Sequence, residues 1–109
     1  MSAWSKARSL IYTRSGGLCE AQVASRCSGV AESAHHRKLR SRGGKDTASC
    51  LTAICESCHQ WVHAHPKDAT ERGWMVPSWA EPSEIPVYRY RQWVLLDDEG
   101  GLSPAGVVA

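Results

Sequence analysis

Phenylalanine is absent from this sequence, and apolar residues of all kinds fill only 42% of its 109 positions. One domain of that size can bury only a small core, and chains this short often lean on a metal or on disulfides. Long hydrophobic runs are missing too. Nothing approaches the roughly 20 apolar residues of a bilayer-crossing helix, which excludes a membrane-spanning reading. A secretory signal pattern is lacking at Met1 to Trp4. The expectation is therefore a reducing, cytoplasmic setting, with the five cysteines as metal ligands rather than a disulfide framework. No internal repeat is visible. A strong excess of one charge sign is also missing: the net charge is +2, a weak argument for nucleic acid by itself.

What is present is concentrated between residues 34 and 65, AHHRKLRSRGGKDTASCLTAICESCHQWVHAH, which holds all five histidines and three of the five cysteines. Cys55-x-x-Cys58 at a turn into a helix is a standard half of a four-ligand zinc site. The other half must come from upstream, where Cys19 and Cys27 are the only cysteines. Their spacing is wider than the usual knuckle, so this pair is the less regular half. Four thiolates close a tetrahedral site, and a closed site is structural. His59 and His63 lie four apart on the same helix, with Cβ atoms about 5–6 Å from one another on one face. With His35 they offer three imidazoles to one divalent cation, leaving positions for water and a phosphate oxygen. His65 is turned off that face by its six-residue offset from His59. His36 is not needed as a ligand, and a neutral imidazole is a suitable general base for activating water.

The rest of the chain is read in order. Residues 4–14 form a helix with Ser5 as N-cap and Trp4, Ala7, Leu10 and Ile11 on one stripe; Gly16 and Gly17 end it. Lys6, Arg8 and Arg14 are its polar face or contact DNA. Residues 18–29 form a knuckle around Cys19 and Cys27. Residues 32–37 and 51–54 are the two strands of a hairpin, joined by a loop containing Gly43-Gly44, and residues 56–65 are a helix stopped by Pro66. A helical turn at 67–72 and an irregular wrap at 74–86 follow. Residues 87–96 have the content of one strand, an ordinary edge strand or a surface for nucleic acid, and residues 97–109 read as a flexible tail. Arg37, Lys38, Arg40, Arg42 and Lys45 crowd one loop beside the histidines, the footprint of a phosphate-binding surface. Arg37 and Arg40 are the first candidates for phosphate contact. Asp46 and Glu56 are candidates for contact with the site or the groups around it, with a solvent-facing or helix-capping role the favoured reading for each, and Trp61 is assigned to packing.

The combined motif, AHHR, a GG-containing loop, then Leu-x-x-Ile-Cys-x-x-Cys-His-x-x-x-His, resembles the HNH or ββα-metal endonucleases, in particular small bacteriophage-encoded members with a four-cysteine zinc site. The resemblance covers residues 14–66. It implies an α+β, ββα-metal fold with a structural zinc, an N-terminal helix and a C-terminal extension at 67–96, the whole nuclease domain occupying residues 1–96. It also implies a DNA endonuclease or nickase using one divalent metal (Mg²⁺, Mn²⁺, Ni²⁺ or Zn²⁺) on His35, His59 and His63. His36 would be the general base, with Arg37 at the active site, and the ends left would be 5′-phosphate and 3′-hydroxyl. The phage members imply work in DNA packaging beside terminase and portal proteins. One position departs from the pattern: Cys50 stands where the family has an asparagine that holds the loop and base. A thiol is a weak donor and poor acceptor, so Cys50 is expected to weaken activity; its other reading is a zinc ligand in place of Cys19 or Cys27. The alternatives are a catalytically weakened zinc-stabilised DNA-binding module, or a zinc-knuckle interaction protein with incidental histidines.

Overall fold

The computed structural model describes residues 2–106. Its elements are α1 (Ala3–Ser15), β1 (Ser33–His36), β2 (Leu51–Ile54), α2 (Glu56–Ala64), α3 (Pro66–Glu71), β3 (Val87–Arg89), β4 (Gln92–Leu96) and β5 (Leu102–Pro104), with 3₁₀ turns at Arg40–Arg42 and Pro82–Glu84. The result is an α+β domain with two small antiparallel sheets, β1-β2 and β3-β4-β5. Among the described residues no helix is long and apolar enough to cross a membrane.

The first helix begins earlier than the sequence suggests. Ser2, not Ser5, is the N-cap: its side chain accepts the Ser5 N–H at 3.1 Å, which satisfies an otherwise orphaned donor. Gly16 ends the helix in the left-handed conformation at φ 64°. Ala7 and Ile11 of this helix pack on Ala48, Leu51 and Ala53. The opposite face of the hairpin is covered by a second cluster that includes Ile54, Cys58, Val62, Trp74, Val87 and Leu96. β2 is therefore buried at all four positions, and its sequence lacks the alternation of a half-exposed strand because both its faces are covered. In β1, paired with β2 as His35↔Thr52 and His36↔Leu51, His35 and His36 must point to opposite faces.

Two expectations about the C-terminal half are corrected. Residues 87–96 are not one strand but a hairpin that reverses at Tyr90 and Arg91, whose φ values are 49° and 65°. Two consecutive residues at positive φ give the tight turn that matches strand twist, which glycine or asparagine normally supplies. Here Tyr90 is held by its hydroxyl, which donates to the Cys19 carbonyl at 3.0 Å. The expected flexible tail is ordered through residue 106: β5 pairs with β4, and Asp97 accepts the Gly101 N–H at 2.8 Å. Residues 107–109 of that expected tail lie outside the described residues.

A buried ionic group fastens the hairpin to the rest. Glu20 is fully buried and accepts two bonds from Arg14, each 2.9 Å, one from Arg89 at 2.8 Å and one from the Ala53 N–H at 2.9 Å. Arg14 also donates to the carbonyls of Ala48 and Leu51. Its side chain is 2% exposed, so Arg14 braces the core and is removed from the candidate DNA contacts.

Candidate metal centres

The four-cysteine cluster is built from two turns. Cys55 is the N-cap of α2, and its sulfur accepts the Cys58 N–H, so the C-x-x-C spacing places both sulfurs at the start of one helix. The knuckle delivers Cys19 and Cys27. The four sulfurs lie within 4.8 Å of one another, and those of Cys27 and Cys55 are 3.7 Å apart. A tetrahedron with Zn–S bonds of about 2.3 Å has edges of about 3.8 Å, so this donor set fits zinc in size as well as in chemistry.

Backbone N–H groups point at the same sulfurs: Val23 and Ala24 at Cys58, Gln22 at Cys19, Gly29 at Cys27. Such donors favour thiolate over thiol. Burial pushes the Cys55 thiol up, but the amides of Cys58 and Ser28 and the neighbouring thiols outweigh it and bring it down to about 7. Burial pushes Cys27 and Cys58 up. Without a cation four crowded thiols cannot all ionise; with one they can. Four cysteines this close could hold a structural metal such as zinc.

The second cluster lies on the other side of α2. His35, His59 and His63 bring one ring nitrogen each within 4.8 Å of the others, with ring centroids 5.0–5.5 Å apart. His35 is 1% exposed, His59 half-buried and His63 exposed, so the cluster has a closed floor and an open rim. The floor is fixed by a backbone carbonyl. His35 Nε2 lies 2.8 Å from the Trp74 oxygen, and because a carbonyl only accepts, Nε2 carries the hydrogen and Nδ1 keeps a free lone pair. Burial, more than the neighbouring imidazoles, pulls His35 down to about 3 and lowers His59 as well. Neutral imidazoles are the form that ligates a metal.

His36 does not join this cluster. It ends β1, stacks on Trp4 of α1 with centroids 5.8 Å apart and planes at 14°, and places Nε2 2.9 Å from Asp46 Oδ1. Cys50 joins neither cluster. Its buried thiol donates to the Lys38 carbonyl at 3.4 Å, away from His36, and burial pushes it up.

The basic loop divides. Arg37 is fully buried, and its guanidinium donates to the carbonyls of Gly73, Ser49, Pro82 and Ile85 at 2.7–3.0 Å. Burial lowers it to about 10, still cationic at neutral pH. Arg37 is thus corrected from active-site and phosphate-binding residue to structural clamp: four of its five N–H donors are spent on backbone carbonyls, and at 0% exposure no phosphate can reach it. Lys38 is 8% exposed and its ammonium is turned inward to the Ala80 carbonyl at 3.0 Å; that burial removes it from the DNA-binding set. Arg40, Arg42 and Lys45 are exposed. Gly44 is required at its position, since a Cβ there would stand 1.7 Å from the Lys38 oxygen. Glu56 accepts a bond from Ser33 and contributes no ligand atom to either cluster.

Sequence reasoning missed two participants: Trp4 reads only as a helix-stripe residue, and Glu20, beside Cys19, carries no pattern at all. Asp46, for which exposure or capping is the favoured reading over contact with the site, in fact meets His36. Each acts through a partner distant in sequence, so no local spacing marks it. The chain was compared with protein-family models, curated proteins and solved structures, and none of them matches it.

Proposed function

We propose that this chain is a metal-dependent DNA endonuclease or nickase of the ββα-metal (HNH) type, with a structural zinc on Cys19, Cys27, Cys55 and Cys58. The observation that carries the reading is the pairing of a closed four-thiol cluster with an open three-imidazole cluster on one hairpin-and-helix unit. The first has no vacant ligand position and serves the fold; the second leaves room for water and a phosphate oxygen. A divalent cation held by His35, His59 and His63 would polarise the phosphoryl group and stabilise charge on the leaving oxygen.

The chain's own residues do the remainder. His36 Nδ1 takes a proton from water as the water oxygen bonds to phosphorus; the phosphorus–oxygen ester bond breaks, its electron pair stays on the leaving oxygen, and solvent protonates that oxygen. Arg40, Arg42 and Lys45 supply positive charge to the flanking phosphates. Trp74, through its carbonyl, orients His35. The setting suggested by the resemblance, packaging of phage DNA beside terminase and portal proteins in the host cytoplasm, remains part of this proposal.

The test is plasmid nicking by the zinc-loaded protein with Mg²⁺, Mn²⁺, Ni²⁺ or Zn²⁺ added, comparing wild type with His36→Ala and His63→Ala. Cleavage by wild type alone supports the reading. One observation favours a second reading, a non-cutting DNA-binding module: the Cys50 thiol is turned to the Lys38 carbonyl and supports no base. Salt-dependent DNA retardation by all three proteins, with cleavage by none, would select it.

A further inference from the structure

The absence of asparagine at position 50 leaves a question of what holds the His36 ring. The loop between β1 and β2 contains the answer. Asp46 Oδ1 lies 2.9 Å from His36 Nε2, and the same oxygen receives Arg40 Nη2 at 3.2 Å. The indole of Trp4 covers one face of the imidazole, and the Arg40 guanidinium lies over that indole, 5.6 Å from its centroid. The His36 side chain is 14% exposed and that of Asp46 29%, so the pair stands at a surface that a macromolecular substrate can reach.

We infer that Asp46 is the positioning residue for His36, fixing the ring and its tautomer from the loop in place of an amide at position 50. The inference rests on the endonuclease reading for its catalytic meaning. A carboxylate accepts and cannot donate, so the 2.9 Å contact requires the proton on Nε2 and leaves Nδ1 as the free acceptor. Arg40 Nε–H is directed at the same nitrogen from 3.4 Å, the longer and weaker of the two contacts, and the closer partner of Arg40 is Asp46 Oδ1, reached by Nη2 at 3.2 Å. The hydrogen bond to His36, more than Arg40, holds the Asp46 carboxyl below the usual range, which keeps it the acceptor this role needs. Trp4 limits the remaining rotation. Asp46 touches neither substrate nor metal ligands in this role; it acts through the imidazole.

The experiment uses the full chain, zinc-loaded, as wild type, Asp46→Ala, Asp46→Asn and His36→Ala. Steady-state cleavage of plasmid and nitrogen-15 NMR of the histidine rings are both recorded. Asp46→Ala should lower kcat about 10–100-fold, the usual cost of losing the partner that orients a histidine, with KM for DNA, zinc content and Tm unchanged. Asp46→Asn, whose amide oxygen can still accept from Nε2–H, should retain more of kcat. The NMR should give Nε2–H for His36 in wild type and a mixture of tautomers in Asp46→Ala. An unchanged kcat in Asp46→Ala while His36→Ala is inactive would overturn the inference, as would a loss confined to KM, which would mark Asp46 as a loop or DNA-contact residue. Should wild type fail to cut, the endonuclease reading falls, and the tautomer decides separately: Nε2–H lost in Asp46→Ala upholds the positioning, and an Nδ1–H ring in wild type ends it.

Discussion

The two clusters flanking α2 are made of similar numbers of metal-binding side chains and differ in almost everything else. The cysteine cluster is a sealed one: three of its four residues are buried, and amide N–H groups converge on the sulfurs. The histidine cluster runs from a buried His35 to an exposed His63, and among the described residues the one hydrogen bond to its rings is from His35 to the Trp74 carbonyl. The lesson concerns where each would be felt. A cation among the thiols would join the knuckle to the hairpin-and-helix unit and so act on folding; one among the imidazoles would add little that packing has not already fixed, and on the proposed reading would serve chemistry.

The sharpest way to break the comparison is to remove a sulfur. Cys58→Ala should abolish cooperative folding, because metal-binding free energy in such sites, about 10–16 kcal/mol, is folding free energy; loss of a sigmoidal thermal transition by circular dichroism, and of bound zinc by elemental analysis, is the expected outcome. Strong chelation of the wild type should do the same. Next in size is Arg37→Met, which leaves four carbonyls without their buried donor. At about 1–3 kcal/mol for each group that water cannot reach, a loss of at least ~3 kcal/mol in urea denaturation is expected, where a phosphate-contact residue would show almost none.

His63→Ala sharpens the contrast from the other side. An exposed side chain should cost less than about 0.5 kcal/mol of stability, while divalent-metal binding by calorimetry weakens at least tenfold and cleavage disappears. A smaller effect separates the clusters by pH. With the thiol site filled and no second metal added, stability should fall as pH drops from about 6.5 toward about 3, because the unfolded chain binds a proton that buried His35 refuses. The sign follows from a folded pKa below the unfolded one: the contribution is complete above the unfolded value and is lost on acidification. His35→Gln should make the decline of Tm shallower over that interval. Smallest of all, Arg42→Ala should leave Tm unchanged and reduce the slope of log binding constant against log salt by about 1.

Much of the local design was legible in the sequence. β2 was bounded correctly because its apolar run sits between a loop and a C-x-x-C, and α2 ends one residue earlier than expected, at Ala64, because Pro66 keeps His65 out of the helix and opens α3. The members of the two ligand clusters were largely legible, since histidines four apart share a helix face and Cys19 and Cys27 are the only cysteines upstream of the C-x-x-C hairpin unit, with Cys50 in the strand the less favoured ligand. What failed did so for one physical reason: a charged residue's partners are set by tertiary structure. Arg37 and Lys38 look like solvent-exposed cations until residues 73–85 wrap over them and present bare carbonyls. Arg14 looks like a helix surface until Glu20 and Arg89 meet it. The Tyr90-Arg91 turn was invisible because neither residue type prefers positive φ, and the hydroxyl bond that anchors it goes to the Cys19 carbonyl, far away in sequence.

Arg37 has one further effect. It follows the histidine pair directly, its backbone N–H donates to the Cys50 carbonyl and its own carbonyl accepts from Val76, each at 2.8 Å, while its guanidinium holds four more carbonyls. A strand four residues long could otherwise slide by one position against its neighbour, which would exchange the faces of His35 and His36. With every polar atom of Arg37 engaged, such a slip would strand a buried cation. The order of two identical neighbours along a strand is thus kept unambiguous by the residue after them.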